Sequence, residues 1–124
     1  MLAMFSERLL DHFRYPRNVG EMGPPAVTID ASNPACGDIL RLSVRFENGK
    51  VAQALYKTRG CTASVAAGSA LTAWMVGKNR AQLRSLTAEM LAEELGGLPP
   101  ESGHAAALAV DAVREILRAV SLDG

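Results

Sequence analysis

Leu40-Arg41-Leu42-Ser43-Val44-Arg45-Phe46-Glu47-Asn48-Gly49-Lys50-Val51 is the stretch on which the fold of this chain turns. Apolar side chains at Leu40, Leu42, Val44 and Phe46 alternate with Arg41, Ser43, Arg45 and Glu47, so a strand there has one dry face and one wet face. Asn48-Gly49 follows at once, and this pair tolerates the positive φ that both central residues of a type I′ turn require. A hairpin is predicted, with Val51 to Thr58 as its second arm. Within that arm Ala52, Ala54 and Tyr56 compete with Val51 and Leu55 for the inner face, so the pattern leaves its facing open.

On the N-terminal side, Val27, Ile29 and Ala31 alternate with Thr28, Asp30 and Ser32, which predicts one more strand, broken at Asn33-Pro34. Leu2 to Phe13 reads as an amphipathic helix with Phe5, Leu9, Leu10 and Phe13 on one side, ended by Tyr15-Pro16. On the C-terminal side, Gly60 permits a sharp exit from the hairpin. The uncharged run from Cys61 to Val76 then has small residues almost all round, the pattern of a helix buried on several sides. It is shorter than the roughly 20 residues of a membrane span and is diluted by Thr62, Ser64, Gly68, Ser69 and Thr72.

Gly77-Lys78-Asn79 closes that helix, and Thr87 caps another, with Leu86 and Leu91 placed as a hydrophobic staple and Gly96-Gly97 as its stop. Pro99-Pro100 leads into a last helix whose buried stripe is Leu108, Ala112, Ile116 and Val120 beside Ala109, Val113 and Leu117. Asp111, Arg114, Glu115 and Arg118 form its wet side. The order predicts one α+β domain over residues 1–124, a small three-stranded antiparallel sheet with helices packed on one face.

A composition of 48% hydrophobic and 21% charged residues suits a core that needs no disulfides. Thirteen Lys and Arg balance thirteen Asp and Glu, so no net field draws the chain to nucleic acid or to an anionic membrane. Glu7 and Arg8 interrupt the N-terminus before any stretch long enough for a signal peptide, which predicts a cytoplasmic location.

Two cysteines in a reducing compartment are either core residues or reactive ones. Cys36 and Asp38 flank Gly37 in the loop entering the second strand, Cys61 stands where the third strand becomes a helix, and His104 begins the last helix. Two thiolates, an imidazole and a carboxylate make a tetrahedral set for zinc or a mixed set for an iron–sulfur cluster. The plainer reading makes the cysteines packing residues, Asp38 a turn residue, and His104 a helix-start histidine bonded to a loop. Residue types alone leave both readings open. His12 reads as a surface or packing residue, and Arg14 and Arg17 as a small basic patch usable at a protein interface.

Three longer motifs carry a resemblance. Asp11-His12-Phe13-Arg14-Tyr15-Pro16-Arg17-Asn18-Val19-Gly20 is similar to the N-terminal signature of the IscU/NifU N-terminal scaffolds, on which iron–sulfur clusters are assembled. Asn33-Pro34-Ala35-Cys36-Gly37-Asp38 and Lys57-Thr58-Arg59-Gly60-Cys61 resemble that family's first and second ligand motifs, and Leu98-Pro99-Pro100 through His104 resembles the third. The resemblance implies an IscU/SufE-like α+β fold and a scaffold rather than an enzyme. It implies Cys36, Asp38, Cys61 and His104 as ligands for a [2Fe–2S] cluster, iron or zinc. It also implies a cysteine desulfurase and iron–sulfur acceptor proteins as partners.

Two departures qualify it. The cysteine that normally follows the histidine is Ala105 here, which neither binds metal nor accepts sulfur. The chaperone-recognition segment reads Pro99-Pro100-Glu101-Ser102, without its lysine, so an Hsp70-type chaperone is not expected to bind in the usual way. Three functions follow: an altered scaffold, a zinc-dependent sulfur acceptor using Cys36 or Cys61, or a metal-free paralogue that regulates a desulfurase. A homodimer with a bridging cluster would supply the missing ligand.

Overall fold

The computed structural model describes residues 5–33 and 37–123. Helix α1 (Glu7–Arg14) leads to strands β1 (Val27–Asn33), β2 (Asp38–Glu47) and β3 (Lys50–Arg59). Helices α2 (Thr62–Met75), α3 (Arg80–Arg84), α4 (Ala88–Glu94) and α5 (Gly103–Asp123) follow, with a 3₁₀ turn at Pro100–Ser102 before α5. The strands form one antiparallel sheet in the order β1-β2-β3, and α2 and α5 cover its apolar face.

The hairpin turns at Asn48-Gly49 with positive φ at both residues, 53° and 79°. The open facing of β3 has a physical cause. Arg45 pairs with Gln53 but Phe46 pairs with Val51, so Ala52 is an extra residue in the ladder. Such a bulge shifts the alternation by one, which puts Val51 inside on one side of it and Ala54 and Tyr56 inside on the other.

Tyr56 is buried flat against Gly68 of α2, and its hydroxyl donates to the Val65 carbonyl at 2.7 Å. A Cβ at Gly68 would lie 2.3 Å from the Tyr56 ring, so here glycine serves close helix–sheet approach. The small residues of α2 have the same use: Ala63, Ala66, Ala67 and Ala70 are all buried. The stripe read in α5, Leu108, Ala109, Ala112, Val113, Ile116, Leu117 and Val120, lies inside as expected. Thr87 caps α4 by accepting from the Met90 N–H, and Leu86 and Leu91 are both buried.

Three features depart from the sequence reading. Among the described residues the first helix begins at Glu7, because Ser6 caps it by accepting from the Leu9 N–H at 3.0 Å; residues 1–4 lie outside the description. Phe13 is 39% exposed, and His12 meets α2 at that end through Ser69. The short helix α3 was not anticipated; Asn79 and Gln82 build it with a reciprocal capping box.

The wet face of the sheet is partly covered as well. Asn18 and Gly20 exchange backbone hydrogen bonds with Tyr56, and the chain then crosses so that the Met22 carbonyl accepts from Thr28 and Glu21 reaches Arg41. Beneath this strap Ser43 is fully buried despite its wet-face position, and bonded to Thr28 at 2.8 Å.

Candidate metal centre

Each candidate residue is placed by an element end. Asp38 opens β2, paired with Asn33 across the ladder, and is buried. Cys61 is the N-cap of α2, exposed, with no capping bond from its side chain. His104 stands in the first turn of α5, where Nδ1 lies 3.1 Å from the Glu101 carbonyl. Donation from Nδ1 to that carbonyl fixes the tautomer and leaves the Nε2 lone pair free for a ligand, the arrangement common among metal-binding histidines.

Their ligand atoms meet. His104 Nε2 is 3.5 Å from Asp38 Oδ2, and Cys61 Sγ is 3.9 Å from each of them. Metal–ligand bonds of about 2.0–2.3 Å at tetrahedral angles place such atoms roughly 3.4–3.6 Å apart. The Asp38–His104 edge already falls in that range, and only the two edges to Cys61 are a few tenths of an ångström longer, so a small movement of the sulfur closes the triangle on one ion. Thiolate, imidazole and carboxylate suit zinc or iron better than magnesium or calcium, which prefer an all-oxygen shell.

Of the four residues singled out from sequence, three converge: Asp38, Cys61 and His104. Cys36 lies outside the described residues, two positions before Asp38. Ala105, where the resemblance expects a cysteine, is buried beside His104 in the chain.

Two contributors were missed. Ser64 is buried, donates to Asp38 Oδ2, and lies 3.4 Å from Cys61 Sγ. Its position one helical turn after Cys61 was the available signal, since residues three apart share a helix face. Gly60 supplies space as well as the expected bend: a Cβ there would sit 2.9 Å from both Asp38 Cγ and Ser64 Cβ.

His12 belongs to a separate network. Ser69 Oγ accepts from the Arg17 N–H at 2.9 Å and shares a hydrogen bond with His12 Nδ1 at 2.7 Å. The Arg17 guanidinium approaches the same nitrogen at 3.1 Å and also binds Asp11. Burial and then the Arg17 charge hold the His12 pKa below its usual value. This network ties α1 and the strap to α2.

The chain matches the NifU-like N terminal domain over residues 4–121. It is 36% identical over 118 residues to the iron–sulfur cluster assembly scaffold protein IscU of Azotobacter vinelandii, covering 92% of this chain and 91% of that one. It is 37% identical over 120 residues to the iron–sulfur cluster assembly enzyme IscU of Drosophila melanogaster, covering 94% of this chain and 77% of the relative. Among solved structures, the N-terminal domain of a NifU-like protein from Brucella abortus superposes with a TM-score of 0.80 over 98% of this chain and 96% of its own. At 16% identity that likeness speaks to the fold. With the family match spanning nearly the whole sequence, the chain belongs to the NifU-like N-terminal domain family.

Proposed function

We propose that this protein is an iron–sulfur cluster assembly scaffold that receives iron and sulfide at Asp38, Cys61 and His104, with Cys36 as fourth ligand. The observation that carries this reading is the convergence of a thiol, an imidazole and a carboxylate within 4.8 Å of one another, supported by relatives named as scaffolds for this cargo. A cysteine desulfurase supplies sulfur: its persulfide passes the outer sulfur to a thiolate of this chain, leaving the desulfurase thiolate behind. With Ala105 in place of the usual third cysteine, Cys36 or Cys61 takes that sulfur. Iron–sulfur acceptor proteins receive the product. Histidine and carboxylate ligands make a centre less tightly held than four thiolates would, which suits a donor.

Anaerobic reconstitution with iron and sulfide tests this. Visible sulfur-to-iron charge-transfer absorption in the wild type, lost in Cys61→Ser, is the expected result; a colourless wild type contradicts it.

The size of the ligand triangle favours a second occupant. In a [2Fe–2S] centre the four protein ligands divide two to each iron, whereas here three ligand atoms stand within 3.9 Å of one another, a spacing for one ion. Zinc, or a single ferrous ion, would suit this donor set once Cys61 Sγ draws in by those few tenths of an ångström. Elemental analysis of freshly purified protein separates the cases: zinc without sulfide marks the closed state, iron with sulfide the loaded one.

A further inference from the structure

Resting on the metal-binding reading above, we propose that Ser64 is a positioning residue that holds Asp38 in its ligating pose and thereby sets how tightly the centre keeps its metal. Asp38 is a carboxylate 7% exposed, and a carboxylate so placed needs donors to be stable there. The Ser64 hydroxyl supplies one by donating to Oδ2, the same oxygen that faces His104 Nε2 and Cys61 Sγ. It therefore fixes which carboxylate oxygen points at the site and restricts rotation about the Asp38 side chain.

The local architecture is arranged around this bond. Ser64 sits in the first turn of α2, where a serine side chain commonly bonds to the local backbone, yet it bonds to a side chain from β2 instead. Gly60 leaves out the Cβ that would collide with both partners at 2.9 Å. Hydrogen-bonded supports of metal-binding carboxylates hold the ligand's orientation, and their loss weakens metal binding about 10–100-fold. Ser64 also stands 3.4 Å from Cys61 Sγ, so the single hydroxyl touches two of the three ligands. Its one proton serves Asp38, and an oxygen lone pair remains to accept from the Cys61 thiol when no metal is bound.

The test is a cobalt(II) titration of the full chain without oxygen, read by the thiolate-to-cobalt charge-transfer band, in a double-mutant cycle. Ser64→Ala is expected to weaken cobalt binding by about tenfold with its helical circular dichroism unchanged, and Ser64→Thr, which keeps the hydroxyl, to restore most of the loss. In an Asp38→Ala background Ser64→Ala is expected to add nothing, because its effect runs through the carboxylate. Unchanged affinity in Ser64→Ala, or an equal loss with and without Asp38, overturns the proposal while leaving the metal site standing. A wild type that shows no charge-transfer band overturns the metal-binding reading and this inference together.

Discussion

At Gly60 and Gly68 the missing side chain is what the packing requires. Gly60→Ala inserts a methyl against Asp38 and Ser64, and overpacking of this kind costs about 1–3 kcal/mol. The expected result is a lower urea midpoint together with weaker metal binding. Gly68→Ala drives a methyl into the Tyr56 ring, and is expected to cost at least as much in urea denaturation while acting on the packing of α2 against β3. Tyr56→Phe removes only the bond to Val65 and should cost about 1 kcal/mol. Burial alone pushes the Tyr56 phenol up to about 12. The unfolded chain loses its phenolic proton first, so stability present below pH 10 is lost as pH rises toward 12. His12 acts in the acid range with the opposite sense. Its pKa is lowered in the fold, so as pH falls below 6.5 the unfolded chain binds the proton first and the fold is destabilised. Urea midpoints between pH 7.5 and 5 should fall in the wild type and fall less in His12→Gln.

At the scale of elements, the hairpin depends on a turn that only certain residues enter. Gly49 has φ 79° with open space around it, so Gly49→Ala tests backbone conformation without a clash; the expected cost is about 1–2 kcal/mol by thermal or urea denaturation. The alternation in β2 and the i, i+4 stripe in α5 were legible because each buries one continuous face. The facing of β3 was not, because a one-residue bulge at Ala52 divides it into two out-of-phase halves and a bulge of this kind leaves no turn residue to mark it. The helix α3 escaped notice because five residues give less than two turns of periodicity, and only the Asn79 and Gln82 capping pair announces it. At the candidate centre the ligand types were legible in sequence, and their convergence was made credible by element ends. The nearness of Ser64 to Cys61 is legible in their spacing of three, but its bond to Asp38 is not, because that contact joins residues 26 positions apart.

For the molecule as a whole, the centre joins three separate parts of the fold: the start of β2, the start of α2 and the start of α5. An ion held there cross-links the sheet to both covering helices, so metal binding contributes directly to folding stability. Zinc at a hundredfold excess over its dissociation constant is expected to stabilise the wild type by about 2.7 kcal/mol, and to leave the melting temperature of Cys61→Ala unchanged. Among the described residues no helix is long and apolar enough to cross a membrane, and the surface charges pair locally, as Arg41 does with Asp30 and Glu21. On the proposed reading, three side chains distant in sequence hold one cargo. Its most direct test is the iron, zinc and acid-labile sulfide content per chain of protein purified without oxygen, compared between the wild type and the His104→Ala, Cys61→Ser double variant. Metal is expected in the wild type and almost none in the double variant; equal metal in both would rule out a shared site at these residues.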